Sequence, residues 1–197
     1  MFYSFIKFLF KIFFLFTFRI KTVGKEKVLM DRGAVFACNH KSNWDGLIII
    51  ATCPRHLSFM GKAELFKFKP FAFVLKKFGV FPVNRGKGDI SAIKTSLRIL
   101  KEEKAFMMFP EGKRVKKYEQ STVKPGIAMI STRAQVPIVP VTITGTYRWM
   151  NKITVTYGEP IYFDEFYGEK LSVEKLQEMS VAVMDTIYDT DKAVGGK

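Results

Sequence analysis

Residues 34–46 read AVFACNHKSNWDG, an apolar run followed directly by polar residues. The apolar part, residues 34–38, has the length and composition of a buried strand, and turn-forming residues precede it. Trp44 to Ala51 is largely apolar again and predicts a helix. Further strands and helices alternate along the rest of the chain, which is typical of an α/β fold with a mostly parallel or mixed sheet.

His40 and Asp45 lie between this strand and this helix. Residues five apart on one unbroken helix point in clearly different directions, so the two side chains could not meet there. They can meet if His40 ends the strand, residues 41–43 turn the chain, and Asp45 lies in the first turn of the helix. Such a pair can act as a base with its orienting acid. The alternative is a structural histidine beside an aspartate that the helix dipole favours.

Charged residues also follow two of the other predicted strands. The three other predicted strands are residues 79–84, 106–109 and 136–141, and the charged residues follow the first two. Arg85 follows the first strand, and residues 110–114, Pro-Glu-Gly-Lys-Arg, follow the second. Ligands of open α/β sheets collect at the carboxyl ends of the strands, so we expect His40, Arg85 and the 110–114 turn to face one crevice. A base, an acid and several cations indicate deprotonation of a hydroxyl on an anionic substrate.

These four segments, in this order, resemble the four motifs of the glycerolipid acyltransferase family, whose best-known bacterial members are 1-acylglycerol-3-phosphate acyltransferases. The resemblance runs from about Val23 to Pro160 and implies an αβ sandwich. It also implies transfer of a fatty acyl group from acyl-CoA or acyl carrier protein to the free hydroxyl of lysophosphatidic acid, which gives phosphatidic acid. We expect no cofactor besides this acyl donor, and no metal site, since the pair Cys53 and His56 has no further ligands nearby.

The resemblance also implies roles for individual residues. His40 would take the hydroxyl proton while Asp45 fixes the tautomer of its ring, and Cys38 leaves a Cys-His route through an acyl-enzyme as an alternative. Glu111 and Gly112 correspond to a family motif that holds either the acceptor or the turn itself. The candidate cations are Arg85, Arg114 and Lys124 for the substrate phosphate, and Lys62 for the oxyanion.

The amino-terminal segment predicts a helix that associates with a membrane. Residues 1–20 contain eight phenylalanines, and Lys7 and Lys11 lie one helical turn apart, on a shared face. The charge-free run after Lys11 is far shorter than the roughly 20 apolar residues of a spanning helix, so we expect a helix lying in the leaflet surface. A tilted span with snorkelling lysines and a helix packed on the domain core are alternatives. The predicted units are an interfacial helix at 1–22 and an acyltransferase domain at 23–197.

The charge of the chain agrees with a membrane surface as a partner. The 197 residues include 32 Lys and Arg against 18 Asp and Glu, a net charge of +14. Such a surface attracts anionic lipids. We do not expect nucleic acid binding, because the aromatic residues cluster with aliphatic ones in helix-like runs. Residues 65–78 repeat the Phe and Lys mixture and predict either a second membrane-facing element or helices that cover the sheet.

We therefore expect a peripheral or monotopic enzyme on the cytoplasmic face of the membrane. Two alternatives stay open at this point. The acceptor could be a different lysolipid, or the protein could bind phospholipid head groups without turnover.

Overall fold

Strands and helices alternate through nearly the whole chain. In the computed structural model, residues 2–84 and 89–195 are described. The strands are β1 (Arg19–Val23), β2 (Ala34–Cys38), β3 (Leu57–Lys62), β4 (Val80–Val83), β5 (Ala105–Met108), β6 (Ile138–Gly145) and β7 (Lys152–Tyr157). The helices are α1 (Phe2–Thr17), α2 (Asp45–Thr52), α3 (Lys69–Lys77), α4 (Ile90–Lys101), α5 (Gly126–Ala134) and α6 (Val173–Gly195).

The strands form one mixed sheet in the order β1-β7-β6-β2-β5-β3-β4. Neighbouring strands are parallel throughout, except that β6 and β7 are antiparallel. Five adjacent strands, from β6 to β4, therefore run in one direction and end at the same edge. The expected α/β fold with a mixed sheet is confirmed, and that edge is where a ligand site is expected.

The central strand β2 separates two hydrophobic cores. Its five residues are all buried, and successive side chains point to opposite faces of the sheet. Phe36 and Cys38 pack into the core on the side of α1 and α2, whereas Val35 and Ala37 pack into the core on the side of α4, α5 and α6. Helices thus cover both faces of the sheet. Burial of each large apolar side chain contributes about 1.5–3 kcal/mol, so this central strand is held firmly in place.

The amino-terminal helix is part of the folded domain on its inner side. Phe14 of α1 is only 2% exposed and belongs to the core beside α2. The strand β1 pairs in parallel with β7, so the predicted boundary between residues 22 and 23 falls inside a strand of the sheet. The carboxyl end of α1 is also fastened to the β6–β7 loop, where Trp149 Nε1 donates to the Phe16 carbonyl and the Met150 N–H donates to the Thr17 carbonyl, each at 2.8 Å.

The spacing of Lys7 and Lys11 predicted that both lie on one face of α1. In the structure they do not share a solvent-facing side. Lys7 turns inward and donates to the carbonyl of Cys53, the residue that caps the carboxyl end of α2, whereas Lys11 is exposed. The last carbonyls of a helix lack partners within it and carry partial negative charge, so they attract a cation. The outer side of α1 is therefore more apolar than the sequence indicated.

No helix within residues 2–84 and 89–195 combines the length and the apolar character needed to cross a membrane. The 16 residues of α1 extend over about 24 Å, against a hydrocarbon core of about 30 Å.

Candidate active site

His40 and Asp45 meet at the carboxyl end of β2. His40 lies two residues beyond the strand, and Asp45 is the first residue of α2. Nδ1 of His40 lies 2.8 Å from Oδ2 of Asp45, and the aspartate is fully buried while the histidine side chain is 14% exposed. The contact that the spacing predicted is therefore present. The imidazole ring in this pair is accessible to solvent, whereas the carboxylate is not.

The Asp45 carboxylate accepts three further hydrogen bonds. Oδ2 accepts the backbone N–H groups of Lys41 and Ser42 at 2.7 and 2.8 Å, and Oδ1 accepts the hydroxyl of Tyr147. Burial, together with the charge of Asp45, raises the pKa of Tyr147, so this hydroxyl keeps its proton and remains a donor. Four donors fix the carboxylate in position. Nothing in the sequence near residue 45 indicated Tyr147.

The other ring nitrogen of His40, Nε2, is the one that a substrate can reach. Because Nδ1 faces a carboxylate, it carries the proton in the neutral ring, and Nε2 is then an acceptor. Among the described residues, Nε2 has no hydrogen-bonding partner. The ring stacks on Phe109, with centroids 4.1 Å apart and planes 17° apart. The orientation of the base is therefore set both by a hydrogen bond and by an aromatic contact.

Glu111 holds the backbone of His40. Its carboxylate is 1% exposed, with Oε2 accepting the His40 N–H at 2.8 Å and Oε1 accepting the hydroxyl of Tyr188 from α6. Burial raises the pKa of Glu111, and these hydrogen bonds oppose that rise. Gly112 follows with φ of 66°, a left-handed conformation that glycine adopts readily. The Val115 N–H then donates to the His40 carbonyl at 2.9 Å. Both oxygens of Glu111 are engaged, which favours support of the turn over contact with the acceptor.

We expect Glu111→Ala to lower the free energy of unfolding by about 2–4 kcal/mol, because it leaves the His40 N–H and the Tyr188 hydroxyl without partners. Urea denaturation followed by circular dichroism measures the effect. Tyr188→Phe, which removes only one of the two bonds, should cost about half as much. Glu119→Ala, at an exposed carboxylate nearby, is the matched control, and equal stability of the Glu111 and Glu119 variants would contradict the supporting role.

The candidate cations fall into three groups. Arg114 and Lys124 are both exposed and both lie beside the Glu111 turn. Arg114 immediately precedes Val115, and the Lys124 N–H donates to the Pro110 carbonyl at 2.9 Å. Lys62 is the exposed last residue of β3, two strands away from β2 in the sheet order. Arg85 lies outside the described residues.

Cys38 is not placed to act as a nucleophile. The side chain is fully buried, its Sγ lies 3.4 Å from Oδ1 of Asn39, and burial raises the pKa of the thiol well above its ordinary value. A thiolate at this position is strongly disfavoured, and the thiolate is the reactive form of cysteine. The geometry therefore disfavours the Cys-His route.

A comparison with known protein families gave a match to the family described as Acyltransferase over residues 19–144, more than half of the chain. The chain belongs to the acyltransferase family. The matched range contains His40, Asp45, Glu111 and the residues that hold them, except Tyr147 and Tyr188. The family resemblance of the four motifs is thus confirmed, and this acyltransferase is an enzyme of the O-acyltransferase class.

Two bacterial relatives carry the name 1-acyl-sn-glycerol-3-phosphate acyltransferase. The acyltransferase is 31% identical to one from Bacillus subtilis (strain 168) over 179 residues, which cover 87% of this chain and 88% of the relative. It is 33% identical to one from Streptococcus pneumoniae (strain ATCC BAA-255 / R6) over 169 residues, which cover 82% of this chain and 62% of the relative.

The fold also resembles a solved structure, the crystal structure of the 1-acyl-sn-glycerophosphate (LPA) acyltransferase, PlsC, from Thermotoga maritima. The TM-score is 0.77 at 21% identity, over 98% of this chain and 79% of that chain. This similarity supports the mixed α/β sandwich.

Proposed function

We propose that this acyltransferase moves a fatty acyl group from acyl-CoA or acyl carrier protein to the free hydroxyl of 1-acylglycerol 3-phosphate, and so forms phosphatidic acid for phospholipid biosynthesis. The observation that carries the proposal is the 2.8 Å contact between His40 and a buried Asp45 in a chain of this family. A protein that only bound phospholipid head groups would need cations but no oriented base. The names of the bacterial relatives support the acceptor.

In the proposed mechanism, the substrate hydroxyl is itself the nucleophile. Nε2 of His40 takes the hydroxyl proton while that oxygen attacks the thioester carbon, and Asp45 stabilises the imidazolium that forms. The tetrahedral intermediate then expels the sulfur, which leaves as a thiol with the proton from His40. No bond to the protein forms in this sequence, in keeping with the burial of Cys38.

The cations near the turn are the proposed phosphate site. Arg114 and Lys124 are both exposed beside the Glu111 turn, and an arginine fork suits phosphate geometry. Arg85 remains a prediction from its motif. Lys62 at the end of β3 remains the proposed partner of the oxyanion, and its exposure is compatible with contact to a bound thioester.

The test of this function has two parts. One compares reaction rates on several lysolipid acceptors, and the other incubates the protein with the acyl donor alone. We expect 1-acylglycerol 3-phosphate to react about 10- to 100-fold faster than lysophosphatidylcholine, because only the former presents a phosphate monoester to Arg114 and Lys124. Acyl-CoA or acyl carrier protein without acceptor should leave the intact mass of the protein unchanged. An acyl adduct on Cys38 or Ser42 that then passes its acyl group to added acceptor would contradict direct attack by the substrate hydroxyl. Equal rates on all lysolipids would contradict the proposed choice of acceptor.

We further propose that the enzyme docks on the cytoplasmic leaflet through an aromatic face. The exposed apolar side chains of this face are Phe5, Phe8, Leu9, Ile12, Phe13, Leu15 and Phe16 on α1, with Phe68, Phe71 and Phe73 on or beside α3. Only Ala72 of α3 is buried, so this helix covers little of the sheet and supports the second docking element. Shallow burial of such a face binds a protein at the membrane surface.

The docking proposal predicts a selective effect of polar substitutions. Phe5→Ser/Phe8→Ser/Phe16→Ser should weaken sedimentation with anionic vesicles by at least about tenfold, because the burial of each Phe side chain is worth about 1.5–3 kcal/mol at most. Substitution is preferable to deletion, since Phe14 and β1 belong to the fold.

The matched control replaces three exposed apolar residues outside this face, as Ile90→Ser/Tyr162→Ser/Val173→Ser. Equal vesicle binding by the two triple variants would contradict docking through the aromatic face.

A further inference from the structure

A cavity lies apart from the His40 cluster. Its volume is about 660 Å³, and it is lined by α1, β1, the end of α2 and the start of β7. Ala51 and Thr52 line it from the end of α2 opposite to Asp45, about 9 Å away along the helix. Neither His40 nor Glu111 contributes to its wall. The cavity is therefore separate from the proposed reaction site.

The rim of this cavity carries cations without counter-charges. The cationic lining residues are Lys11, Arg19, Lys21, Lys25 and Lys152. No aspartate or glutamate lines the cavity, and within the described ranges none of the five cations forms an ion pair with a carboxylate. Like charges held close together repel one another, and an anion placed among them removes that cost.

The same repulsion is visible at a neighbouring residue. Burial lowers the pKa of Lys7, Cys53 opposes this change, and the charges of Lys11 and Lys25 make smaller contributions that lower it. Lys11 and Lys25 therefore add to the positive potential around this amine.

The walls of the cavity are apolar. Phe14, Leu15 and Phe18 form one side, from α1 to the start of β1. Leu15 is 71% exposed and belongs also to the aromatic face, so the cavity opens beside the surface proposed to meet the membrane. An apolar interior with a cationic rim matches a ligand that has a hydrocarbon chain and an anionic head.

We infer that this cavity binds an anionic phospholipid of the membrane that is not consumed in the reaction. The phosphate would lie among Lys21, Lys25 and Lys152, and one acyl chain would lie against the α1 side of the cavity. The lipid would bridge α1 to β1 and β7. A bound lipid should therefore hold α1 more firmly against the sheet and strengthen membrane binding through the aromatic face. Binding of this lipid does not require acyl transfer, so it can be measured separately from the proposed function.

The experiment uses soluble short-chain lipids and the whole protein. Isothermal titration calorimetry with monomeric dihexanoyl phosphatidylglycerol should show one site, with dihexanoyl phosphatidylcholine bound at least about tenfold more weakly. Lys21→Gln/Lys25→Gln/Lys152→Gln should weaken phosphatidylglycerol binding by about tenfold or more. Lys94→Gln/Lys101→Gln/Lys170→Gln, at exposed lysines elsewhere, makes the same change of charge and should leave binding unchanged.

Further variants show where the lipid binds, and a titration with inorganic phosphate shows whether the site prefers a lipid to a free anion. Arg114→Gln should retain phosphatidylglycerol binding, and Thr22→Phe, which fills the cavity, should lose it. Both rim-lysine and control variants should acylate a monomeric acceptor within about twofold of the unchanged enzyme. Loss of binding in Arg114→Gln with retention in the rim variant would place the lipid at the reaction site and overturn the inference. Inorganic phosphate bound as tightly as phosphatidylglycerol would overturn it as well.

Discussion

Replacement of His40 by alanine is expected to lower turnover by about 10²–10⁴-fold or more, since general-base assistance has that magnitude. The acceptor should still bind, because the cations beside the Glu111 turn remain. Initial rates with purified protein over a range of acceptor concentrations separate the two effects. The fall should appear in kcat, with KM changed by only a few fold.

The second histidine of the chain offers a matched control. His56 lies away from the site, with its ring packed against Tyr3 at a centroid distance of 3.9 Å and tilted by 34°, and burial lowers its pKa. His56→Ala should keep most of the activity while losing some stability. A folded His40→Ala protein with near-normal turnover would eliminate the proposed mechanism.

Asp45→Asn is expected to lower kcat by up to about 10⁴-fold, as loss of the orienting carboxylate does in related base–acid pairs. The aspartate accepts from four donors, and an amide nitrogen cannot accept from any of them. If the nitrogen faces His40, the ring is held in the wrong tautomer. If it faces Tyr147, the hydroxyl loses its acceptor.

The same carboxylate-to-amide change at Asp164, an exposed residue at the start of a short 3₁₀ turn, provides the control and should leave kcat almost unchanged. Thermal unfolding of both variants shows how much of any loss is structural. Turnover of Asp45→Asn close to that of Asp164→Asn would show that the aspartate only supports the fold.

The contacts that the sequence predicted are local ones. His40 and Asp45 are five residues apart, and a strand end followed by a helix start leaves few ways to place them. The partners that completed the site come from far along the chain, with Tyr147 102 residues from Asp45 and Tyr188 77 residues from Glu111. Neither tyrosine carries a local sign of its role, and no local spacing connects them to the motifs. Only the fold brings them together.

The strands that escaped prediction lack an apolar run. In β1, the sequence Arg-Ile-Lys-Thr-Val mixes basic and apolar residues directly after a helix, and all but its last residue fall in the predicted interfacial helix at 1–22. β3 contains Gly61 and ends on Lys62, which weakens its strand signal. Each becomes a strand because an existing neighbour supplies its hydrogen bonds. The inward turn of Lys7 has a similar cause, since the carbonyl that attracts it belongs to another helix.

The hydrogen bonds between α1 and the β6–β7 loop fix the position of α1 relative to the rest of the domain. Under the proposed docking, the depth of α1 in the leaflet sets how far the crevice stands above the lipid head groups, because Phe16 and Thr17 are hydrogen-bonded to that loop. A lysolipid must then rise by a set distance before its hydroxyl meets His40, and each methylene drawn out of the bilayer costs about 0.8 kcal/mol. If the crevice lies closer to the head groups, less of the lysolipid's acyl chain has to leave the bilayer. The position of α1 in the domain therefore influences how readily long-chain acceptors react.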